Sequence, residues 1–154
     1  MSARERLARQ QAALARALAL EAPVPEGFDA GRVRAAARAL LDKRRRWVER
    51  SWPTLAVALG PAFASRFEAW ALQHPMTVEP HPLADGRRFA ESLRAEGPLP
   101  VALAEALRDF DLRWRLLDGG EAVPRRDFVL RLWRGRGRWR LVLRLPGGRP
   151  WTWG

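Results

Sequence analysis

Apolar residues recur at helical spacing through most of the chain and at a spacing of two after Gly119-Gly120, so helices are expected first and strands afterwards. Leu7, Gln11, Leu14 and Leu18 lie four, three and four residues apart in an alanine-rich segment without glycine or proline before Pro23, which predicts a first helix. The loop Pro23-Val24-Pro25-Glu26-Gly27-Phe28 ends it. Asp29 is placed to cap a second helix, with Val33, Ala37, Leu40, Leu41 and Val48 facing inward and Arg34, Arg38, Arg45 and Arg46 outward. Ser51 and Pro53 punctuate the chain before a short helix through Leu55 and Leu59, which Gly60 stops. Pro61 then starts a helix whose stripe is Phe63, Phe67, Trp70 and His74.

Three prolines within residues 75–82 predict an ordered surface loop. Phe89, Ala90 and Leu93 support a fifth helix, stopped by Gly97-Pro98, and Leu103, Leu107, Phe110, Trp114 and Leu117 make the clearest stripe of all, on a sixth. Beyond Gly120, Phe128, Leu130 and Leu132 alternate with Val129, Arg131 and Trp133, and Trp139, Leu141, Leu143 and Leu145 alternate with Arg138, Arg140, Val142 and Arg144. Arg134-Gly135-Arg136-Gly137 connects these runs as a hairpin, and Pro146-Gly147-Gly148-Arg149 turns into Pro150-Trp151-Thr152-Trp153. The expected fold is mainly α: about six helices over residues 1–120, then a three-stranded antiparallel meander over 121–154. Its leucine face is expected to pack on the last helix, along the Leu103 to Leu117 stripe, and its arginine face to meet solvent.

Charge sharpens this division. The 154 residues carry 28 basic and 17 acidic groups, a net +11, while 47% hydrophobic content separates the chain from disordered basic tails. From Arg125 to Gly154 there are nine arginines against Asp127 alone, so this fifth of the chain carries +8 and the first 124 residues only +3. The same segment holds Trp133, Trp139, Trp151 and Trp153 of the eight tryptophans. Lys43 is the single lysine; the other 27 basic residues are arginine, which suits a GC-rich coding bias as well as it suits selection.

Candidate chemistry is sparse. Without cysteine there are no disulfides, thiolate sites or cysteine nucleophiles. His74 and His81 are seven apart and each precedes a proline, unlike the four-residue spacing of a zinc-protease helix. There is no phosphate loop and no nucleophile elbow. Asp109 and Asp111 would project about 200° apart around a helix, too far for a carboxylate dyad, and Asp111 is expected to pair with Arg108 or Arg115. No catalytic residue, metal site or cofactor is expected. No apolar run approaches 18 residues and Met1-Ser2-Ala3-Arg4-Glu5 alternates charge, so a soluble cytoplasmic protein without a membrane partner is expected.

Three readings of the carboxy-terminal segment stay open. Its arginines could neutralise phosphates of DNA or RNA while tryptophans stack on bases. An edge strand could instead accept an extended peptide through main-chain hydrogen bonds, with arginine favouring acidic sequences. Or Arg131, Arg140 and Arg144 form an ordinary solvated face, with Trp139 and Trp151 in the core.

One ordered series changes the balance: Arg9-Gln10-x-Ala12, then Trp52-Pro53 with Leu59-Gly60-x-x-Phe63-x-x-x-Phe67-x-x-Trp70, then Leu83-x-Asp85-Gly86-x-x-Phe89-x-x-x-Leu93, then Leu99-Pro100. Over residues 4–117 the chain resembles the partner-protein family of multinuclear non-haem iron-dependent oxidases, which includes the methanobactin- and bufferin-type partner subunits and whose amino-terminal region is often labelled DNA-binding. It departs from that family at Leu41-Asp42-Lys43-Arg44-Arg45-Arg46-Trp47 and at His74-Pro75-Met76-Thr77, and its tail is short, features compatible with derivation from a form fused to its oxidase.

The resemblance implies a non-catalytic accessory subunit for peptide modification in natural-product biosynthesis. It would form a heterodimer with a barrel-shaped oxidase that holds the iron, bind the leader of a ribosomally made precursor peptide, and present the core for oxidation. The expected leader site is the carboxy-terminal sheet: Phe128, Leu130 and Leu132 on its inner face, Trp133, Trp151 and Trp153 as exposed anchors, and Arg131, Arg140 and Arg144 for charge complementarity. The alternative is a basic DNA- or RNA-binding protein using the same arginines and tryptophans.

Overall fold

The computed structural model describes residues 2–20, 22–75, 81–117, 120–135, 138–146 and 151–153. Six helices precede short antiparallel strands in two sheets: α1 Ala3–Leu18, α2 Ala30–Ser51, α3 Pro53–Leu59, α4 Ala62–Gln73, α5 Pro82–Glu96 and α6 Val101–Arg113, then β1 Trp114–Leu116, β2 Ala122–Pro124, β3 Val129–Gly135, β4 Arg138–Arg144 and β5 Trp151–Trp153. The mainly α fold read from the sequence is thus observed, as is the β3-β4-β5 meander.

Local chemistry sets most helix ends. Ser2 and Glu5 form a reciprocal capping box, Glu5 N–H donating to Ser2 Oγ and Ser2 N–H to Glu5 Oε2. Asp29 caps α2 by accepting from the Arg32 amide at 2.9 Å. Pro53 and Pro82 occupy first-turn positions, where a missing N–H costs nothing. The proline-rich loop therefore ends at His81, and its residues 76–80 lie outside the described residues.

The helical core is aromatic. Phe63, Phe67, Trp70 and Phe89 pack together, with Phe67 edge-on to Phe89 at 5.3 Å, and Trp52 lies 5.2 Å from Phe110 across α3 and α6. Arg44 of α2 threads into this core. Its Nε and Nη2 donate to the two oxygens of buried Asp85 at 2.6 and 3.0 Å, its Nη1 donates to the His74 carbonyl at 2.9 Å, and its guanidinium lies 5.3 Å from the Trp70 ring centroid. One side chain thereby ties α2 to the first turn of α5 and the end of α4. Beside it, Trp52 Nε1 donates to the Leu83 carbonyl at 3.1 Å. A Cβ on Gly86 would fall 2.3 Å from Trp52 Cδ1. Gly86→Ala should therefore lower stability by about 1–3 kcal/mol through overpacking, seen as a lower urea midpoint with an unchanged slope.

Several expected positions move. Leu40 and Leu7 are exposed, because α1 and the first half of α2 bury only Ala17, Val33 and Ala37 between them; Arg45 is half-buried between Asp42 and Glu49. Asp111 pairs with Arg87 of α5 at 2.9 Å, not with Arg108 or Arg115, because α5 brings a guanidinium across from the facing helix. Burial alone would lower the Arg87 guanidinium, yet the hydrogen bonds to Asp111 and Glu91 carry it above its ordinary value.

The sixth helix stops at Arg113, so Trp114 and Leu117 leave the stripe: Trp114 is extended (φ −126°, ψ 154°) and opens a hairpin in which it pairs with Pro124. The cause is distant in sequence. Arg125 Nε donates to the Asp111 and Trp114 carbonyls at 2.7 and 3.1 Å, while Arg144 donates to the Leu112 carbonyl and, at 3.0 Å, to that of Arg125. Two guanidinium groups thus satisfy the terminal carbonyls of α6, where cations are favoured. Gly120, with φ +85°, lets the β1–β2 connection turn.

Candidate functional site

The two long strands alternate side chains across the sheet, and their register decides which face each side chain joins. Val129 opposes Arg144, Arg131 opposes Val142 and Trp133 opposes Arg140, forming one row; Leu130 opposes Leu143 and Leu132 opposes Leu141, forming the other. The pairs Leu141–Trp153 and Leu143–Trp151 add both tryptophans of β5 to the leucine row.

The valine row faces the helices. Val142 is fully buried and joins Val129 and Leu112 in a small second core, with Trp133 packed against it and Arg108 of α6 lying 5.7 Å over the Trp133 ring. Leu112 lies off the Leu103 to Leu117 stripe, of which Leu103, Leu107, Phe110 and Trp114 are occupied in the larger core. The expected orientation is therefore inverted: Leu130 and Leu132, with Phe128 just ahead of them, form the outer face rather than the inner one. The reason is the fit at α6. Val129 and Val142 pack on Leu112, and Arg144 on the same row reaches the Leu112 carbonyl, which no leucine could satisfy.

The outer face is consequently rich in exposed apolar side chains, with Arg134 in register opposite Trp139. Phe128, Leu130, Leu132, Leu141, Leu145, Trp139, Trp151 and Trp153 are all exposed, Leu132 at 61% and Trp151 at 62%. The Trp151 and Trp153 rings lie nearly parallel, 6.5 Å apart. Patches of this kind on a folded domain mark interaction sites. Among the described residues, the far edge of β3 has no strand beside it.

The expected site residues thus separate. Trp151 and Trp153 stand exposed as expected, and Trp139 and Trp151 are not core residues. Trp133 is half-buried beneath Arg108 and offers no free anchor. Arg131 and Arg140 are exposed, but on the row opposite Trp151 and Trp153, and Arg144 is committed to main-chain carbonyls. Leu141, Trp139 and Leu145 were the residues missing from the expected site; their period-two alternation was visible, the side they faced was not. Asp127, just before β3, pairs with Arg125 at 3.1 Å, and its own backbone hydrogen bond together with that arginine holds its carboxyl below the usual range.

His74 Nδ1 lies 2.8 Å from the Trp70 carbonyl and its ring stacks on Trp70, while His81 sits at the cap of α5. Among the described residues no three His, Asp or Glu side chains stand close enough to share a metal ion. None of the described helices is long and apolar enough to cross a membrane.

Residues 8–95, running from α1 almost to the end of α5, match the family described as SCO6045-like, C-terminal domain. A UPF0276 protein of Streptomyces avermitilis is 40% identical over 131 residues, which cover 84% of this chain and 26% of the relative. The chain therefore spans about a quarter of the length of the curated relative it matches. A match of that length extends past Arg113, the end of α6, and so includes part of the strand region. No solved structure matches the chain.

Proposed function

The chain belongs to the SCO6045-like, C-terminal domain family, and from that premise we propose that it is a non-catalytic recognition subunit that holds the leader of a ribosomally made precursor peptide for a multinuclear non-haem iron-dependent oxidase. The observation that carries this reading is the exposed apolar outer face of the β3-β4-β5 sheet, with Trp151 and Trp153 on β5 at one side of it and an open β3 edge at the other. A sheet of this form can lengthen by one strand, the added peptide gaining main-chain hydrogen bonds and laying every second side chain on the apolar face.

The relative supplies the second support. There the matched segment shares one polypeptide with about three times as much further sequence. We take that larger part as the counterpart of the oxidase, whose own residues hold the iron; this chain needs no cofactor in such an arrangement. Recognition and oxidation would then be divided between two bodies, joined in the relative and associating as a heterodimer when made separately.

The register also bears on the nucleic-acid alternative. Phosphate neutralisation and base stacking need arginines and exposed tryptophans on one surface; Arg131, Arg140 and Arg144 lie on the opposite row from Trp151 and Trp153 and share theirs with half-buried Trp133, and Arg134, opposite Trp139, is the arginine in register on the outer row. The test is co-expression with an oxidase encoded beside this chain and its precursor peptide. A stable ternary complex, lost when the leader is deleted, is expected. Absence of any complex, with tight binding to arbitrary DNA that weakens steeply with salt, would replace this reading with the nucleic-acid one.

A further inference from the structure

Resting on the reading that the sheet takes up a leader, we propose that the open edge of β3 selects an extended segment in which apolar residues alternate with carboxylates. β3 is the longer of the two outer strands, spanning Val129–Gly135 against three residues in β5, and among the described residues its main chain bonds only to β4. A strand added there has two unlike sides. Its outer side chains continue the row of Leu130 and Leu132, which is apolar and exposed. Its inner side chains meet the other row, where Arg131 is exposed on β3 itself, Arg140 is exposed one strand further in, and Arg108 lies over the neighbouring Trp133.

Cations therefore line one cheek of the edge and hydrocarbon the other. Asp127, the carboxylate that precedes β3 in the chain, is already paired with Arg125. An inward carboxylate next to Arg131 gains a charge-assisted contact, while an inward lysine meets like charge. A segment apolar on both sides leaves the guanidinium groups facing hydrocarbon. Period-two alternation of Leu or Val with Glu or Asp is the pattern that satisfies both rows at once.

The experiment uses the full chain and synthetic peptides of about seven residues, one strand long, in which leucine alternates with either glutamate or lysine. Fluorescence of a peptide label reads binding at low salt. The glutamate peptide should bind at least about fivefold more tightly than the lysine peptide. Arg131→Glu should reverse that order, and Arg38→Glu, an equal charge change on the exposed face of α2, should leave it standing. N-methylation of alternate peptide amides should abolish binding in one register and spare it in the other, because only every second amide points at β3.

Equal affinity of the two peptides, equal effects of the two arginine substitutions, or indifference to N-methylation would each overturn the proposal. None of these results would touch leader recognition, which is judged by the ternary complex. Conversely, loss of that complex with the peptide preference intact would remove the function and leave the edge chemistry in place.

Discussion

Asp85→Ala should destabilise the fold by about 3–5 kcal/mol, a large share of a small domain's total stability. Asp85 is 1% exposed and accepts two hydrogen bonds from Arg44, whose side chain is itself about 10% exposed. Removing the carboxylate leaves a buried guanidinium with only the His74 carbonyl and the aromatic faces of Trp70 and Phe67 for company. The uncompensated charge, not the lost pair as such, carries the cost. Replacing both partners, as Arg44→Met with Asp85→Leu, should consequently restore much of the loss. Urea denaturation of the wild type, Arg44→Met, Asp85→Leu and the double variant closes the cycle. Simple additivity of the two single losses would show that the pair is not coupled in the way its geometry indicates.

Leu132→Asp should weaken leader binding by about thirtyfold or more, the effect of losing an interface hot spot of at least ~2 kcal/mol, while unfolding stability changes by no more than ~0.5 kcal/mol. Leu132 is exposed on the outer face, so the folded chain loses no core contact when it becomes polar. The leader would lose an apolar neighbour and meet a carboxylate at the centre of the row. Val142→Asp one strand away provides the contrast: Val142 is fully buried against the helices, and an aspartate there should disrupt the second core itself. If Leu132→Asp binds the leader as the parent does, the outer face is not the docking surface. Isothermal titration with purified leader, paired with thermal unfolding, separates the two outcomes.

Much of the helical body was legible because its signals are local. Asp29 capping α2, Gly60 ending α3 and the Phe63, Phe67, Trp70 stripe each depend on neighbours within one or two turns. The Ser2-to-Glu5 capping box was equally local, although the alternating charges of Met1 to Glu5 obscure it. The ordered series from Trp52-Pro53 to Leu93 proves to be the construction of the core itself: Trp52 against Leu83 and Gly86, Asp85 on Arg44, and Phe89 among Phe63, Phe67 and Trp70. Those positions mark how this domain is built and say little about what it touches.

The end of α6 was not legible. A stripe running from Leu103 to Leu117 at four, three, four and three is as regular as any in the chain, yet the helix stops four residues early. Arg125 and Arg144, fourteen and thirty-two residues beyond the carbonyls they bind, compete with the helical continuation, and no window of periodicity contains them.

The sequence by itself determined that helices come first and a basic, tryptophan-rich meander last, because periods of 3.6 and 2 and the local turn chemistry are properties of neighbouring residues. It also determined that the sheet has two unlike faces. Only the tertiary structure decided which of them is buried, because alternation is symmetric under exchange of the two sides. The deciding contacts, Val129 and Val142 on Leu112 and Arg144 on the α6 carbonyls, form between elements far apart in the chain. Turning the valine row inward leaves the leucines and tryptophans facing outward, and the surface proposed to receive a leader exists for that reason.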